Sequence, residues 1–390
     1  MTWEDDLEEC ICTIEQLREY IELTPEAEKQ LREIIERHPM RITRYYLSLI
    51  DRNDPDDPIR RMAIPSEGEL DTLGSYDTSG ERENTKMSGL QHKYAQTALI
   101  LATNRCAAYC RFCFRKRMVG LSNEEIVRRF NDAANYVEKH KEINNVLISG
   151  GDPFVLQTKV IGEFLERLST IPHLDFIRFG TKVPVTFPDR ILEDEELLTL
   201  LENNTRENKK IYVVTHFNHP REITQKATDA VDSLFRSDVI VNNQTVLLKG
   251  VNDNPEILAE LQNKLVRIGV NPYYVFQCRP VKRVRSNFQV PLFKGYEIVE
   301  NAKKKLNGHS KRFKYIMSHQ AGKIEIVGIM DNYIYFKYHQ AKDPANIGKF
   351  FKRKINKTAG WLDELEGSEG KNNKPNKKAP FGCKSIVSYG

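Results

Sequence analysis

The stretch "LATNRCAAYCRFCFRKRMVG" (residues 101–120) brings together three of the chain's seven cysteines. They are Cys106, Cys110 and Cys113, in the spacing Cys-x3-Cys-x2-Cys. Three thiolates cannot complete a structural zinc site or an ordinary iron–sulfur cluster, because each of these takes four protein ligands. Taken as they stand, they predict a [4Fe–4S] cluster with three irons bound to the chain and one iron open to another ligand. A distant cysteine as the fourth ligand is the alternative.

Six short β-rich runs, separated by segments with helical periodicity, begin just before these cysteines and continue after them. In chain order they are "TALILAT", "NNVLISG", "FIRFGTKV", "IYVVTHF", "VIVNNQTVLL" and "NPYYVFQC". Strands that alternate with helices predict parallel βα units, in an open sheet or a barrel. Reactive residue types follow the ends of successive runs, where a βα barrel assembles its active site. The sequence therefore predicts an α/β enzyme and argues against a non-enzymatic iron–sulfur carrier.

Changes in composition divide the chain into five regions. Residues 1–50 carry amphipathic helical patterns, and residues 51–92, rich in Pro, Asp and Gly, are interpreted as an extended connector. Residues 93–300 hold the predicted barrel. Residues 301–369 contain a predicted β-hairpin around the tripeptide "MDN", and residues 370–390 are interpreted as a flexible basic tail.

The overall charge and hydrophobicity exclude some classes of protein. No apolar run approaches the roughly 20 residues that cross a bilayer, and the acidic N-terminus lacks the plan of a signal peptide. A cytoplasmic protein without membrane contact is therefore predicted. The net charge of +5 is due to five lysines in the tail, since 54 basic residues face 54 acidic ones elsewhere. This distribution makes nucleic-acid binding an unfavoured interpretation, and weak contact of the tail with an acidic partner stays open.

The cysteine motif, with an aromatic residue (Phe112) before its last cysteine, resembles the signature of the radical S-adenosylmethionine (SAM) superfamily. The resemblance implies that SAM chelates the open iron and is cleaved by one electron to a 5′-deoxyadenosyl radical. The stretch "LISGGDP" looks like the superfamily's glycine-rich segment for the amino group of SAM. That match implies cofactor-binding roles for Ser149, Gly150, Gly151 and Asp152.

Seven segments, in order, resemble the lysine 2,3-aminomutase family: "DPIRRMAIPS", "GLQHKYAQTALILATNRC", "LISGGDP", "IPHLDFIRFGTKVPVTFPDRI", "THFNHPREIT", "NNQTVLLKGVND" and "NPYYVFQC". The implied fold is a partial (β/α)6 radical SAM barrel with N-terminal helices and a C-terminal hairpin segment. The implied second cofactor is pyridoxal phosphate (PLP). In "MSHQAGKIEIVG" the family's PLP lysine would be Lys323, although an exposed lysine that opens a hairpin strand is the alternative.

Other site residues follow from the same resemblance by position. His216 and Gln244 match residues near SAM, and a structural barrel histidine is the alternative for His216. Lys93 and Tyr94 match a region around PLP. Arg115 matches the arginine for the substrate α-carboxylate, a role that suits the bidentate guanidinium.

The chain departs from the lysine-acting members at the positions of two aspartates, which hold Arg279 and Ile316 here. A side-chain carboxylate would suit Arg279, so we predict an isomerase that converts L-glutamate to β-glutamate. L-lysine as the substrate is an alternative, and in that case Arg279 would lie in a solvated loop. A further alternative is a family member that has lost PLP, because Thr97 stands where an arginine for the PLP phosphate is expected. Only Cys383 lies near the C-terminus, where some members carry zinc-binding cysteines. The implied partners are an amino-acid substrate, a flavodoxin- or ferredoxin-type electron donor and further copies of the chain.

Overall fold

The computed structural model describes residues 2–121, 124–207 and 209–366. Within them, one sheet of twelve strands runs through the molecule, and each strand pairs with its neighbours in chain order. The strands are β1 (Thr85–Met87), β2 (Leu90–Tyr94), β3 (Thr97–Thr103), β4 (Asn145–Gly150), β5 (Phe176–Gly180), β6 (Lys210–Thr215), β7 (Ile240–Leu247), β8 (Asn271–Gln277), β9 (Lys314–His319), β10 (Gly322–Met330), β11 (Tyr333–Ala341) and β12 (Phe350–Lys354).

The α-helices assigned in these ranges precede the sheet or connect its strands. They are α1 (Trp3–Glu8), α2 (Ile14–Arg18), α3 (Pro25–Arg37), α4 (Arg44–Ser48), α5 (Pro58–Ala63), α6 (Glu81–Asn84), α7 (Phe130–Lys139), α8 (Thr158–Ser169), α9 (Val183–Thr186), α10 (Asp189–Leu192), α11 (Glu195–Glu207), α12 (Gln225–Arg236), α13 (Pro255–Arg267), α14 (Arg285–Phe288) and α15 (Leu292–Lys303). The predicted N-terminal helices are confirmed. The start of α3 is fixed by Thr24, whose hydroxyl accepts a hydrogen bond from the backbone N–H of Ala27.

The strands from β3 to β9 are all parallel. The six predicted parallel strands are confirmed as β3 to β8, and helices connect them as in a partial (β/α)6 barrel. The strand β9 was not predicted from the sequence, and it adds a seventh parallel strand. Antiparallel pairs extend the sheet on both sides, through β2 and β1 at one end and through β10 to β12 at the other.

The main hydrophobic core lies between the parallel strands and the helices that connect them. Val146 and Ile148 of β4 share this core with Leu165 and Leu168 of α8, and all four are fully buried. A second buried cluster joins α15 to β9 and β10. The alternate side chains of the strands point away from these cores, toward the inside of the barrel.

The interpretation of residues 51–92 as an extended connector is wrong for much of that stretch. It contains α5, α6, the strands β1 and β2, and a 3-10 turn at Glu67–Leu70. Local chemistry explains α5, because Pro58 occupies its first turn and the Asp57 carboxylate accepts from the backbone N–H groups of Ile59 and Arg60.

The predicted hairpin is confirmed as β10 and β11. Its turn residues, Asp331 and Asn332, have φ angles of 48° and 63°, a left-handed conformation that Asn and Asp adopt more readily than most residues. The predicted basic tail (residues 370–390) and Cys383 lie outside the described residues. Among the described helices, none combines the length and the apolar character needed to cross a membrane.

Candidate functional site

Several side chains on the inner face of the parallel strands are only half-buried. Along β4, Leu147 and Ser149 are half-buried, whereas Val146 and Ile148, which face the helices, are fully buried. Arg178 of β5 is likewise half-buried on the inner face. A barrel that served only as a scaffold would fill its interior with packed aliphatic layers. This interior is therefore suited to hold ligands.

The three motif cysteines lie in the loop that follows β3. The loop is tied to the N-terminal region by two backbone hydrogen bonds, from Tyr109 to the carbonyl of Arg41 and from Arg111 to that of Met62. Burial raises the pKa of the Cys113 thiol to about 11, and burial also raises the pKa values of the other two cysteines. Such thiols become thiolates when a metal displaces their protons.

A buried carboxylate from the connector neutralises the basic part of this loop. Glu69 accepts hydrogen bonds from Arg111 Nε and Nη2 at 2.7 and 2.6 Å, and from Lys116 Nζ at 2.6 Å. Although burial alone would raise it, the pKa of Glu69 is lowered to about 2 by these two cations. Glu69 thus holds the residues on either side of Cys113 in place.

The Ser-Gly-Gly-Asp turn at the end of β4 packs directly on the start of the cysteine loop. Gly150 has a φ of +119°, and a Cβ added there would lie 2.3 Å from the carbonyl oxygen of Thr103. A Cβ on Gly151 would lie 2.2 Å from the carbonyl oxygen of Arg105. Both positions therefore require glycine.

Asp152, the last residue of this turn, has its carboxylate engaged by the protein. It accepts from Thr181 Oγ1 at 2.6 Å and from the backbone N–H groups of Lys182 and Phe154 at 2.7 and 3.0 Å. Burial raises the pKa of this carboxyl group. These contacts orient the turn, and a direct contact of Asp152 with SAM stays a prediction.

His216 follows β6 and lies beside the cysteine loop, with its ring edge-on to Phe112 at a centroid distance of 5.6 Å. Its Nε2 atom is buried and has no hydrogen-bond partner among the described residues. Burial, together with the charge of Lys182, lowers the pKa of His216 to about 3, so the imidazole is neutral. A buried nitrogen that has no hydrogen-bond partner in the protein is suited to contact a bound ligand. Gln244 lies half-buried in β7, in register with Tyr274 of β8.

Lys323 lies in β10 in register with Ser318 of β9, and its Nζ is 4.7 Å from the centre of the Tyr274 ring. Burial, followed by the charges of Arg178, Lys93 and Arg279, lowers its pKa to about 7. A lysine that is partly neutral near pH 7 is a competent nucleophile. This position excludes the alternative of an ordinary exposed strand lysine.

Lys93 and Tyr94 reach the same region from β2. Lys93 Nζ donates to the carbonyl oxygens of His319 and Ser79 at 2.7 and 3.0 Å, and burial lowers its pKa to about 7. The Tyr94 ring centre lies 6.0 Å from Lys323 Nζ. The structure thus brings these two residues to Lys323, as the sequence predicts.

Two arginines, Arg115 and Arg279, lie against the same aromatic ring. Their guanidinium carbons are 4.5 and 4.1 Å from the centre of the Phe114 ring. Arg115 forms an ion pair with Glu81 at 3.4 Å and donates to the Gly150 carbonyl at 3.2 Å. One arginine therefore has a carboxylate partner close by, next to the glycine turn.

Arg279 has a different environment from Arg115. It donates to the hydroxyls of Ser79 and Ser318 at 2.9 and 3.0 Å. Within the part of the chain that the structure describes, no carboxylate lies within 4.0 Å of it. Arg279 therefore points into the site and not into a solvated loop, and Ile316, the other departure, is buried in β9.

Comparisons with known proteins agree with this geometry. Residues 100–261 match the family model of the Radical SAM superfamily. A protein of Aquifex aeolicus, provisionally named an L-lysine 2,3-aminomutase, is 44% identical over 88% of this chain and 92% of its own length. The L-lysine 2,3-aminomutase of Clostridium subterminale is 37% identical over 80% of this chain and 73% of its own. The chain belongs to the lysine 2,3-aminomutase family of the radical SAM superfamily. The glutamate 2,3-aminomutase of Clostridioides difficile is 34% identical over 74% of this chain and 68% of its own.

Membership of the lysine 2,3-aminomutase family makes the protein an isomerase with a small-molecule substrate and a need for a reductant. It also implies a [4Fe–4S] cluster and SAM, and the lysine 2,3-aminomutases themselves depend on PLP. The residues present fit these groups. Three cysteines on one loop, an unpartnered His216 Nε2 and a lysine of lowered pKa are the donors that the cluster, SAM and PLP would require.

Several residues of the site were missed by the sequence analysis. Arg178 could have been found, since an arginine inside the apolar run "FIRFG" of a parallel strand is unusual. Glu69, Ser79, Glu81 and Ser318 carried no recognisable signal, because they join the site through contacts between distant parts of the chain.

Proposed function

We propose that the protein is a radical SAM, PLP-dependent 2,3-aminomutase that moves the α-amino group of L-glutamate to the β-carbon, forming β-glutamate. The observation that carries the proposal is the environment of Arg279, a half-buried cation held by two hydroxyls and an aromatic ring. A guanidinium that forms no ion pair with a carboxylate of the described residues favours a ligand that brings one. The side-chain carboxylate of glutamate would supply that partner.

Charge argues against L-lysine at the same position. Two unit charges of the same sign about 4 Å apart repel by about 4 kcal/mol at an effective dielectric constant of 20. Three cations, Arg279, Lys93 and Arg115, lie near one another, whereas the carboxylates that act on Arg279 are those of Glu81 and Asp77. An ammonium group added here would increase this excess of positive charge, and Ile316 offers no counter-charge.

Three cations around Lys323 support PLP binding. Arg178, Lys93 and Arg279 all lower the pKa of Lys323, in that order of effect. Arg178 Nε is buried without a partner, and its Nη2 donates to Asn145 Oδ1, an uncharged group. We assign Arg178 and Lys93 to the PLP phosphate, a role in which they would compensate for Thr97. When bound, PLP holds the migrating amino group and delocalises the radical; Lys323 would hold PLP covalently between turnovers.

On the other side of the barrel interior, the residues are suited to bind SAM and the α-carboxylate of the substrate. Cys106, Cys110 and Cys113 would hold the cluster, and His216 Nε2 together with the Ser149–Asp152 turn would contact SAM. Gln244 would lie nearby on β7. Arg115, between this turn and the Phe114 ring, is placed to bind the substrate α-carboxylate. A flavodoxin- or ferredoxin-type donor and self-association of the chain stay predictions.

The test is an anaerobic turnover assay of the reconstituted enzyme with iron, sulfide, SAM, PLP and a reductant. L-glutamate and L-lysine are offered together, and the β-amino acids are separated by chiral derivatisation and mass spectrometry. β-Glutamate without β-lysine is expected. β-Lysine as the main product would overturn the substrate assignment, in line with the higher identity to L-lysine 2,3-aminomutases. SAM cleavage without either product, and without PLP bound, would favour a family member that has lost PLP.

A further inference from the structure

Three side chains of types that can ligate a metal lie together on the outer side of the sheet, away from the cysteine loop. His92 of β2 and His140 and Glu142, which follow α7, each offer a ligand atom within 4.8 Å of those of the other two. His92 neighbours Lys93, but its Nδ1 atom lies 3.1 Å from the hydroxyl of Tyr136 in α7. His92 therefore points outward, toward α7.

The hydrogen bonds of His92 fix which of its two ring nitrogens carries the proton. His92 Nε2 lies 3.1 Å from the carbonyl oxygen of Ala95, which can only accept, so Nε2 carries the hydrogen and Nδ1 has the lone pair. His140 Nδ1 lies 2.8 Å from Glu142 Oε1, so an ion bound by both of these atoms would take the place of the hydrogen between them. His92 directs its N–H at a protein oxygen, the arrangement that metal-binding histidines almost always show.

The rings are also held in place before any ion binds. Tyr136 stacks on His140 at a centroid distance of 4.0 Å, and its hydroxyl donates to His92 Nδ1 at 3.1 Å. The ring of His92 meets that of His140 edge-on at 5.6 Å. An ion bound at Nδ1 would take the place of the Tyr136 hydroxyl.

We propose that His92, His140 and Glu142 form a binding site for one divalent transition-metal ion, for which zinc is the best match. Two neutral imidazoles and a carboxylate are a ligand set for zinc, whereas magnesium and calcium prefer oxygen ligands alone. With three protein ligands, a fourth position stays open to water. The ion would tie β2 to the end of α7, one residue from Lys93.

The test measures zinc binding to the reconstituted holoenzyme under anaerobic conditions, by competition with a chromophoric chelator. Iron is counted before and after the titration, so that exchange at the cysteine loop is detected. One zinc per chain is expected in addition to the full iron content. His140→Ala should abolish this binding, and Glu142→Gln should weaken it by about tenfold or more.

The matched control is His173→Ala. His173 lies in the same region and contacts the carbonyl of Val137 in α7, but it is outside the three-residue group. This variant should bind zinc as the unmodified protein does. Zinc binding that is absent from the unmodified protein, or equal in the His140→Ala and His173→Ala variants, would overturn the proposal. The test does not depend on which amino acid the enzyme converts.

Discussion

The guanidinium group of Arg279 lies over the ring of Phe114, 4.1 Å from its centre, directly beside the last cysteine of the motif. An arginine at the end of β8 and the cysteine loop at the end of β3 thus meet across the barrel. This contact places Arg279, the candidate partner of the substrate side chain, in the same part of the barrel as the cysteines that would hold the cluster. The substrate assignment depends on that placement.

Replacement of Arg279 by Gln should lower kcat/KM for L-glutamate by roughly 100-fold, since loss of one partner of a buried charge pair removes about 2–5 kcal/mol. Iron content and SAM binding should not change, because Arg279 contacts neither the cysteines nor the glycine turn. Steady-state turnover and iron analysis check this. The matched control is Arg236→Gln on the outer helix α12, which should leave turnover unchanged. Equal activity of the Arg279→Gln variant on L-glutamate would remove the basis for the substrate assignment.

Which residues of the site could be predicted from the sequence depends on how far apart along the chain the contacting residues lie. Cys106, Cys110 and Cys113 are local in sequence, and the six strands follow from short β-rich runs, so both were found. Ser79 contacts Arg279 across 200 positions of the chain, and Glu69 contacts Arg111 across 42. No local pattern encodes such contacts. The strand β9 was missed for the same reason, because its pairing with β8 bridges α14 and α15.

Lys323 should capture PLP at a rate that rises with pH through about 7, the pKa that burial and neighbouring cations give it. Only the neutral amine attacks an aldehyde, and an ordinary lysine would need a pH near 10.5. Borohydride trapping followed by peptide mass spectrometry measures this rate, and Lys323→Arg is the negative control. A midpoint near pH 10 would show that the lysine is exposed in solution.

Arg178→Gln should weaken PLP binding by about tenfold to 100-fold, since charge-assisted hydrogen bonds contribute about 1.5–3 kcal/mol. It should also move the midpoint for Lys323 to higher pH, because Arg178 is the charge that lowers this pKa most. Absorbance titration with PLP gives the affinity. The control is Arg206→Gln, an exposed arginine on α11. An unchanged PLP affinity with an upward-shifted midpoint would mean that Arg178 acts only through charge and does not hold the phosphate.

Gly150→Ala should destabilise the turn that packs on the cysteine loop. A Cβ would lie 2.3 Å from the Thr103 carbonyl, at a φ of +119°. Backbone strain of this kind costs about 1–3 kcal/mol even without the clash. Thermal unfolding should show a lower Tm, and SAM binding should fall. Gly308→Ala is the matched control, since nothing lies within 4 Å of its Cβ position. Equal Tm values for the two variants would contradict the close packing of Gly150 on the Thr103 carbonyl.

Glu69→Gln should lower the free energy of unfolding by about 3–5 kcal/mol, because Arg111 and Lys116 would be left buried without a counter-charge. The folded protein holds the pKa of Glu69 at about 2, below the usual value of 4.5 for a glutamate, so the unfolded chain binds more protons between these values. The stabilisation is therefore fully present above pH 4.5 and is lost as the pH falls toward 2.

Denaturant unfolding at pH 7 and pH 3 measures both effects. The difference between the variant and the unmodified protein should shrink at pH 3, and iron content should fall in the variant. Glu67→Gln, which changes an exposed carboxylate of the same turn, should match the unmodified protein at both pH values. If Glu69→Gln and Glu67→Gln unfolded alike, the cysteine loop would not depend on this buried carboxylate.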